Sequence, residues 1–240
     1  MRRPADGLRV GAVTVAALAA IALAAWGAVN TSIFHAHDVR VEGNQKLTRH
    51  EVLALAGIGA TTNVVRMSPG ELERRLESSP WVARARVGRE LPDSVWISID
   101  ERYPVATVRV ARRWVTLAGD ATVLATGATK PSLPVIGMQI AGPVPAPGAW
   151  MPAVRTVVSV IDGLPQRVAV RTAREERDVV ELGLASGARI LYGSAEDRSR
   201  KNASILALLA WARGEESEVR LIDVRVPLAP ALRLAPITDA

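Results

Sequence analysis

The chain has 240 residues, so it can hold one or two domains beside any targeting segment. It contains no cysteine, which excludes disulfide bonds and thiol catalysis within it. The net charge is +6, but the arginines are scattered, without a long basic run or interleaved aromatic residues, and this argues against nucleic-acid binding.

An uncharged segment lies near the N-terminus, at residues 10–29. At about 1.5 Å per residue, a helix of this length crosses the ~30 Å hydrocarbon core of a bilayer. The sequence therefore predicts a single-pass transmembrane helix here. The alternative is a cleaved signal peptide, with Ala22-Leu23-Ala24 as a cleavage site.

Basic residues flank this segment on one side only. Arg2, Arg3 and Arg9 precede it, and no lysine or arginine follows until Arg40. The positive-inside rule then predicts that residues 1–9 are a short cytoplasmic tail and that the chain beyond the segment lies outside the cell membrane.

A small mixed domain is predicted at residues 38–103, after a juxtamembrane linker at residues 30–37. Its first strand is followed by Thr48-Arg49-His50-Glu51, a capping box that opens a helix. Ser68-Pro69-Gly70-Glu71 predicts a second capped helix. Apolar residues then alternate across residues 82–100, which predicts two strands joined by a tight turn and an overall order β-α-α-β-β.

A larger β-rich domain is predicted at residues 104–230. Residues 127–152 contain six prolines and four glycines and are expected to form an irregular excursion. The last strand is predicted at residues 219–226, and residues 231–240 are expected to be a flexible tail. The predicted fold class is α+β: one transmembrane helix, the β-α-α-β-β domain, and a mixed, mostly antiparallel β-domain with two helices.

Several short motifs occur in the order of one known family. They are Val39-Arg40-Val41-Glu42-Gly43-Asn44, Glu51-Val52-Leu53, Ser79-Pro80-Trp81-Val82, Arg89-Glu90-Leu91-Pro92-Asp93, Glu101-Arg102-Tyr103-Pro104-Val105-Ala106, Lys201 with its helix, and Ile222-Asp223-Val224-Arg225-Val226-Pro227. In this order, behind one membrane segment, they resemble the FtsQ/DivIB family of bacterial cell-division proteins.

The resemblance implies that residues 38–103 are a POTRA domain and residues 104–230 the family's β-domain. It implies a scaffold at the division septum that links early and late division proteins and has no catalytic site, metal or cofactor. The implied partners are FtsB and FtsL, with FtsK, FtsW and FtsI as further candidates. The implied location is the cytoplasmic (inner) membrane, with the N-terminus in the cytoplasm and both domains outside.

The first predicted partner site is the edge of the last strand. The resemblance implies that FtsB binds there, and strand addition is the physical mechanism, because unpaired backbone groups on an edge strand template another strand. The alternative is an ordinary core strand. The site residues are Ile222, Asp223, Val224, Arg225 and Val226.

The second predicted partner site lies in the POTRA domain, where the resemblance implies a partner such as FtsK. It comprises Val41, Asn44, Arg84 and Arg86. A solvated basic face, or contact of the two arginines with anionic headgroups, is the alternative.

Two other functional classes stay open at this stage. One is a POTRA-containing component of envelope transport or assembly, and the other is a secreted enzyme with a cleaved leader. The enzyme class is disfavoured because His35 and His37 lack further metal ligands at a regular spacing and no nucleophile has a matching histidine.

Overall fold

The computed structural model describes residues 4–214 and 218–235. The chain divides into two compact units, one ending at Glu101 and the other beginning at Arg102. Each unit has a separate hydrophobic core. We describe the two units in turn.

The first unit begins with helix α1 (Pro4–Val29). The helix therefore starts earlier than the predicted segment 10–29 and takes up most of the predicted tail; residues 1–3 lie outside the described residues. Within the part of the chain that the structure describes, no helix combines the length and hydropathy required of a membrane span.

The rest of this unit contains three strands and two helices. They are β1 (Asp38–Glu42), α2 (Arg49–Ala56), α3 (Pro69–Glu77), β2 (Val82–Glu90) and β3 (Ser94–Glu101). The sheet order is β1-β3-β2, with β1 parallel and β2 antiparallel to the central strand. The predicted β-α-α-β-β order is confirmed.

Local capping explains where α2 begins. The Thr48 hydroxyl accepts the N–H of Glu51, while the Glu51 carboxylate accepts the N–H of Thr48. The predicted second capping box is wrong, because the Ser68 side chain makes no capping bond. Glu71 pairs instead with Arg75 one turn further along α3.

Both helices pack on one face of the three-stranded sheet. Val52 and Leu76 are fully buried against Ile97 and Ile99 of the central strand. The two positions Arg84 and Arg86 are exposed. This alternation is the pattern from which the strands were predicted.

The second unit is built on one nine-stranded sheet. In chain order its elements are β4 (Pro104–Val110), β5 (Arg113–Ala118), β6 (Val123–Gly127), β7 (Val135–Ile140), α4 (Arg155–Asp162), β8 (Val170–Glu176), β9 (Val179–Leu184), β10 (Arg189–Gly193), α5 (Arg198–Gly214), β11 (Val219–Asp223) and β12 (Ala231–Leu234). The strand order is β12-β11-β10-β9-β8-β7-β4-β5-β6. Five neighbouring pairs are antiparallel and three are parallel, as expected for a mixed, mostly antiparallel sheet.

The proline-rich stretch at residues 127–152 is not wholly irregular. It contains β7, which lies parallel to both of its neighbours, β4 and β8. Ile136 of this strand is buried in the core of the unit. The excursion thus supplies the strand that joins the two halves of the sheet.

The end of the chain also differs from the prediction. The strand predicted at residues 219–226 ends at Asp223, because the Asp223 carboxylate accepts the N–H of Arg225 and pairs with its guanidinium, which turns the chain. It is not the last strand, because β12 pairs antiparallel with it. The predicted flexible tail is therefore ordered from Ala231 to Leu234, and residues 236–240 lie outside the described residues.

Candidate partner-binding site

The edge strand at the C-terminal end of the large sheet is β12. Its inner side pairs with β11, where Ala231 lies opposite Asp223 and Leu232 opposite Ile222. No strand of the described residues pairs with its outer side. The outward N–H and C=O groups of β12 are therefore available to bind an extended segment of another chain.

Of the predicted site residues, Ile222 and Asp223 lie on β11, one strand further in, and the other three follow its end. Ile222 and Val224 are fully buried in the core, whereas Val226 is 61% exposed beyond the end of the strand. Asp223 and Arg225 form an ion pair of 2.6 Å with each other. The structure therefore does not present these five residues as one edge.

An arginine-lined cleft lies beside the β12 edge, with a volume of about 390 Å³. Leu221 lines the cleft and lies opposite Arg189 on β10 and opposite Arg233 on β12. Arg220 also lines the cleft. The residues that line the cleft thus carry three positive charges and no negative one, although Arg189 also pairs with Glu181 at 3.2 Å.

Carboxylates near this cleft remain ionised at neutral pH. Burial alone would raise the pKa of Glu181, but hydrogen bonds from Arg174 and Arg189 hold it below its usual value. The hydrogen bond from Arg225 lowers the pKa of Asp223. Both acids are therefore already matched to arginines within the protein.

Lys201, one of the residues that carry the family resemblance, is a buried residue that stabilises the fold. It is 2% exposed, and its Nζ donates to the carbonyl oxygen of Ser194 at 2.8 Å. The ammonium also lies 5.1 Å from the centre of the Tyr192 ring. Lys201 therefore holds the connection between β10 and α5 from inside.

The residues predicted in the POTRA domain do not form one surface. Val41 lies on β1, and Arg84 and Arg86 lie on β2, at opposite edges of the three-stranded sheet. The Asn44 amide donates to the carbonyl oxygen of Leu47 at 3.0 Å and so stabilises a turn. The structure thus offers two separate surfaces, the β1 edge and the arginine face of β2.

Metal binding was not predicted for this chain. Among the residues that the structure describes, no group of three or more histidine, cysteine, aspartate or glutamate side chains is placed to hold a metal ion.

Comparison with known proteins identifies the first domain. The family model of the FtsQ-type POTRA domain matches residues 34–102. The cell division protein FtsQ of Syntrophotalea carbinolica is 40% identical over 77 residues, which cover 32% of this chain and 27% of that protein.

Other relatives are similar over most of the chain. FtsQ of Mycolicibacterium smegmatis is 29% identical over 197 residues, covering 81% of this chain and 57% of that protein. FtsQ of Streptomyces collinus is 28% identical over 236 residues, covering 93% of this chain and 88% of that protein. The chain thus spans 27% and 57% of the lengths of the first two relatives. The chain thus carries an FtsQ-type POTRA domain, and over most of its length it is similar to bacterial cell division proteins named FtsQ.

Proposed function

We propose that this division protein is a membrane-anchored, non-catalytic scaffold that binds its partner by strand addition at the outer edge of β12. The observation that carries the proposal is the position of β12 at the end of the sheet, with its outer side unpaired among the described residues. A strand added there continues the antiparallel ladder that β12 forms with β11.

The proposed anchor is α1, through its uncharged residues 10–29. The basic residues before this segment support a cytoplasmic N-terminus, with both domains outside and recruited to the septum. A scaffold of this kind acts by keeping its partners at the membrane near the site of wall synthesis.

The proposed partner at β12 is an FtsB–FtsL-type pair. We base its chemistry on the cleft beside the edge, where Arg189, Arg220 and Arg233 favour acidic residues in the incoming segment. Relative to the sequence prediction, the site moves from β11 to β12, because β11 is an interior strand.

A second proposed partner surface is in the POTRA domain. Here the outer edge of β1, with Val41, is the place for an added strand. Arg84 and Arg86 form a distinct basic face on β2. FtsK is the proposed partner of this domain, and FtsW and FtsI join through the assembled complex.

Capture of an FtsB–FtsL complex by the full chain in lipid nanodiscs tests the β12 site. Leu232→Pro and Arg233→Pro are compared, because neighbouring residues of a strand direct their N–H groups to opposite sides. The substitution at the position whose N–H points towards β11 removes an inward donor and weakens pairing with β11. The substitution at the position whose N–H points away from β11 removes a donor of the outer edge. We expect this second variant to lose capture while the protein stays folded.

The matched control is Thr126→Pro on β6, the strand at the opposite edge of the same sheet. We expect this variant to capture the complex as well as the wild type does. Circular dichroism establishes which variants are folded. Undiminished capture by both β12 variants would disprove the site.

A further inference from the structure

The C-terminal end of α1 is fully capped. A helix leaves its last four carbonyl groups without partners inside the helix. Here Asn30 and Thr31 supply donors to three of them. The fourth, the carbonyl oxygen of Val29, accepts a hydrogen bond of 2.7 Å from the side-chain amide of Asn63, 34 residues further along the chain.

Asn63 is held in position for this contact. Its amide oxygen accepts the N–H groups of Val65 at 3.0 Å and Arg66 at 3.2 Å, so that its amide nitrogen faces the helix end. The Arg66 guanidinium in turn donates to the side-chain oxygen of Asn30 at 2.9 Å. Asn63 and Arg66 of the POTRA domain thus form hydrogen bonds with Val29 at the end of α1 and with Asn30, the residue after it.

The segment predicted as a linker, residues 30–37, is folded onto the same loop. The N–H of Val64 donates to the carbonyl oxygen of Phe34, and the N–H of Ala36 donates to that of Thr62, each at 2.8 Å. Ala36 is buried with the core of the domain. The connection therefore has a defined conformation.

The loop is also fixed from its other side. The Arg89 guanidinium on β2 donates to the carbonyl oxygens of Val64 at 3.1 Å, Val65 at 2.6 Å and Met67 at 3.2 Å. A chain of hydrogen bonds thus runs from the sheet of the domain through the loop to the end of α1.

We propose that residues 62–66 form a docking surface that fixes the outer end of α1 and contacts the phospholipid headgroups around it. The inference rests on the proposed membrane anchor. In a bilayer, a carbonyl group without a partner is costly, so the Asn63 cap is favoured where the helix leaves the hydrocarbon. The POTRA domain is then held in one orientation on the membrane surface.

The side chains around the contact between the end of α1 and residues 62–66 suit a lipid interface. Trp26, one turn before the helix end, is 64% exposed, and Ile33, just after it, is 61% exposed. Indole and aliphatic groups are stable at headgroup level. Arg66 adds a cation that interacts favourably with the C-terminal end of the helix dipole and with anionic headgroups.

Distance measurements on the full chain test the contact between the end of α1 and residues 62–66. Because the protein has no cysteine, spin labels can be placed at Ala28→Cys and Ala60→Cys without background. In nanodiscs of phosphatidylcholine and phosphatidylglycerol, we expect one narrow distance distribution. Asn63→Ala should broaden it about twofold or more, because the last turn of α1 would lose its bond from the domain and could turn about the residues before Phe34, where the backbone bonds to the loop begin.

Asn44→Ala is the matched control, since it also removes one asparagine hydrogen bond to a backbone carbonyl but lies away from α1. It should leave the distribution unchanged. A broad distance distribution in the wild type, or an unchanged one in Asn63→Ala, would overturn the proposal that residues 62–66 fix the end of α1.

Lipid contact is measured separately with an environment-sensitive dye at Ile33→Cys and nitroxide quenchers at headgroup depth. We expect quenching at this position, decreased by Arg66→Glu. A dye at Ala16→Cys, measured with nitroxide quenchers at the bilayer centre, reports insertion of α1 itself. Without quenching at the bilayer centre, the membrane anchor fails and lipid contact fails with it. With insertion but no quenching at residue 33, only the lipid contact is overturned.

Discussion

The phenolic hydroxyl of Tyr103 donates a hydrogen bond of 2.6 Å to the carboxylate of Asp162, which joins the residue before β4 to the last residue of α4. Gly119 makes room for this contact, since a Cβ atom there would overlap the Asp162 carboxylate. The start of the large sheet and the end of its first helix are thereby tied together.

The two tyrosines of the chain should both ionise above the usual range. The hydrogen bond to Asp162 raises the pKa of Tyr103, and burial raises the pKa of Tyr192. An absorbance titration at 295 nm should therefore show no tyrosine ionising near pH 10 while the protein is folded. Asp162→Asn should lower the pKa of Tyr103 towards its usual value, and Tyr103→Phe should leave only the titration of Tyr192. A normal titration in the wild type would contradict the Tyr103 contact.

Because its pKa is raised on folding, Tyr103 contributes stability that is complete below pH 10 and decreases as the pH rises through the folded value. The stability difference between wild type and Tyr103→Phe should therefore shrink at high pH. Urea unfolding at pH 8 and pH 10.5 measures this, and a difference that grew with pH would be inconsistent with the contact.

Gly43 should not tolerate a side chain. It has a φ of +83°, and a Cβ atom there would collide with the backbone carbonyl of Ile99. We expect Gly43→Ala to lower the free energy of unfolding by about 2–4 kcal/mol. Gly70→Ala, in the first turn of α3 with open space around it, should instead gain up to ~1 kcal/mol. Urea denaturation followed by circular dichroism compares the two, and equal effects would contradict the collision.

Lys201 should be important for stability although it is charged. Replacing it with alanine removes a buried aliphatic chain and the hydrogen bond to Ser194, and we expect a loss of about 1–3 kcal/mol. The neighbouring Arg200 is exposed, and Arg200→Ala should change stability by less than about 0.5 kcal/mol. Thermal unfolding of both variants measures the difference in stability. A Lys201→Ala variant as stable as the wild type would show that the buried contact contributes nothing to stability.

Acid should weaken the C-terminal part of the sheet. Folding lowers the pKa of Asp223 through Arg225, so the stabilisation is complete above the ordinary carboxyl value and is lost as the pH falls below about 4. Arg225→Gln should destabilise the protein more at pH 7 than at pH 3. Arg84→Gln, at an exposed position of β2, should show no such pH dependence in urea unfolding, and a pH-independent Arg225→Gln would exclude the effect.

Local patterns in the sequence were sufficient for the POTRA domain. The Thr48–Glu51 capping box forms within four residues of chain, and the alternation in β2 and β3 reports a sheet with one buried face. The second capping box failed for an equally local reason, because Arg75 competes for Glu71. Propensity alone does not decide between two partners of one carboxylate.

The β-domain was harder, because its decisive contacts are distant in sequence. β7 owes its place to pairing with β4 and β8, and the flanking prolines hid it. β12 has a signal in the alternation of Leu232 and Leu234 with Ala231 and Arg233. A four-residue strand within a five-residue stretch between prolines, however, gains strand structure only by pairing with β11. The sequence prediction therefore took β11, which is an interior strand, for the edge of the sheet.

The parallel insertion of β7 has a mechanical consequence. It is the one strand that connects β6-β5-β4 to the five strands from β8 to β12 in the described sheet, and it meets β8 at only two residue pairs, Val135 with Thr172 and Ile136 with Ala173. If a partner binds β12 as proposed, tension between that partner and the chain entering at β4 would pass through the pairing of β7 with β8. Helix α4 contacts β4 on one side of this pairing and β8 and β9 on the other, so α4 would carry part of the same tension.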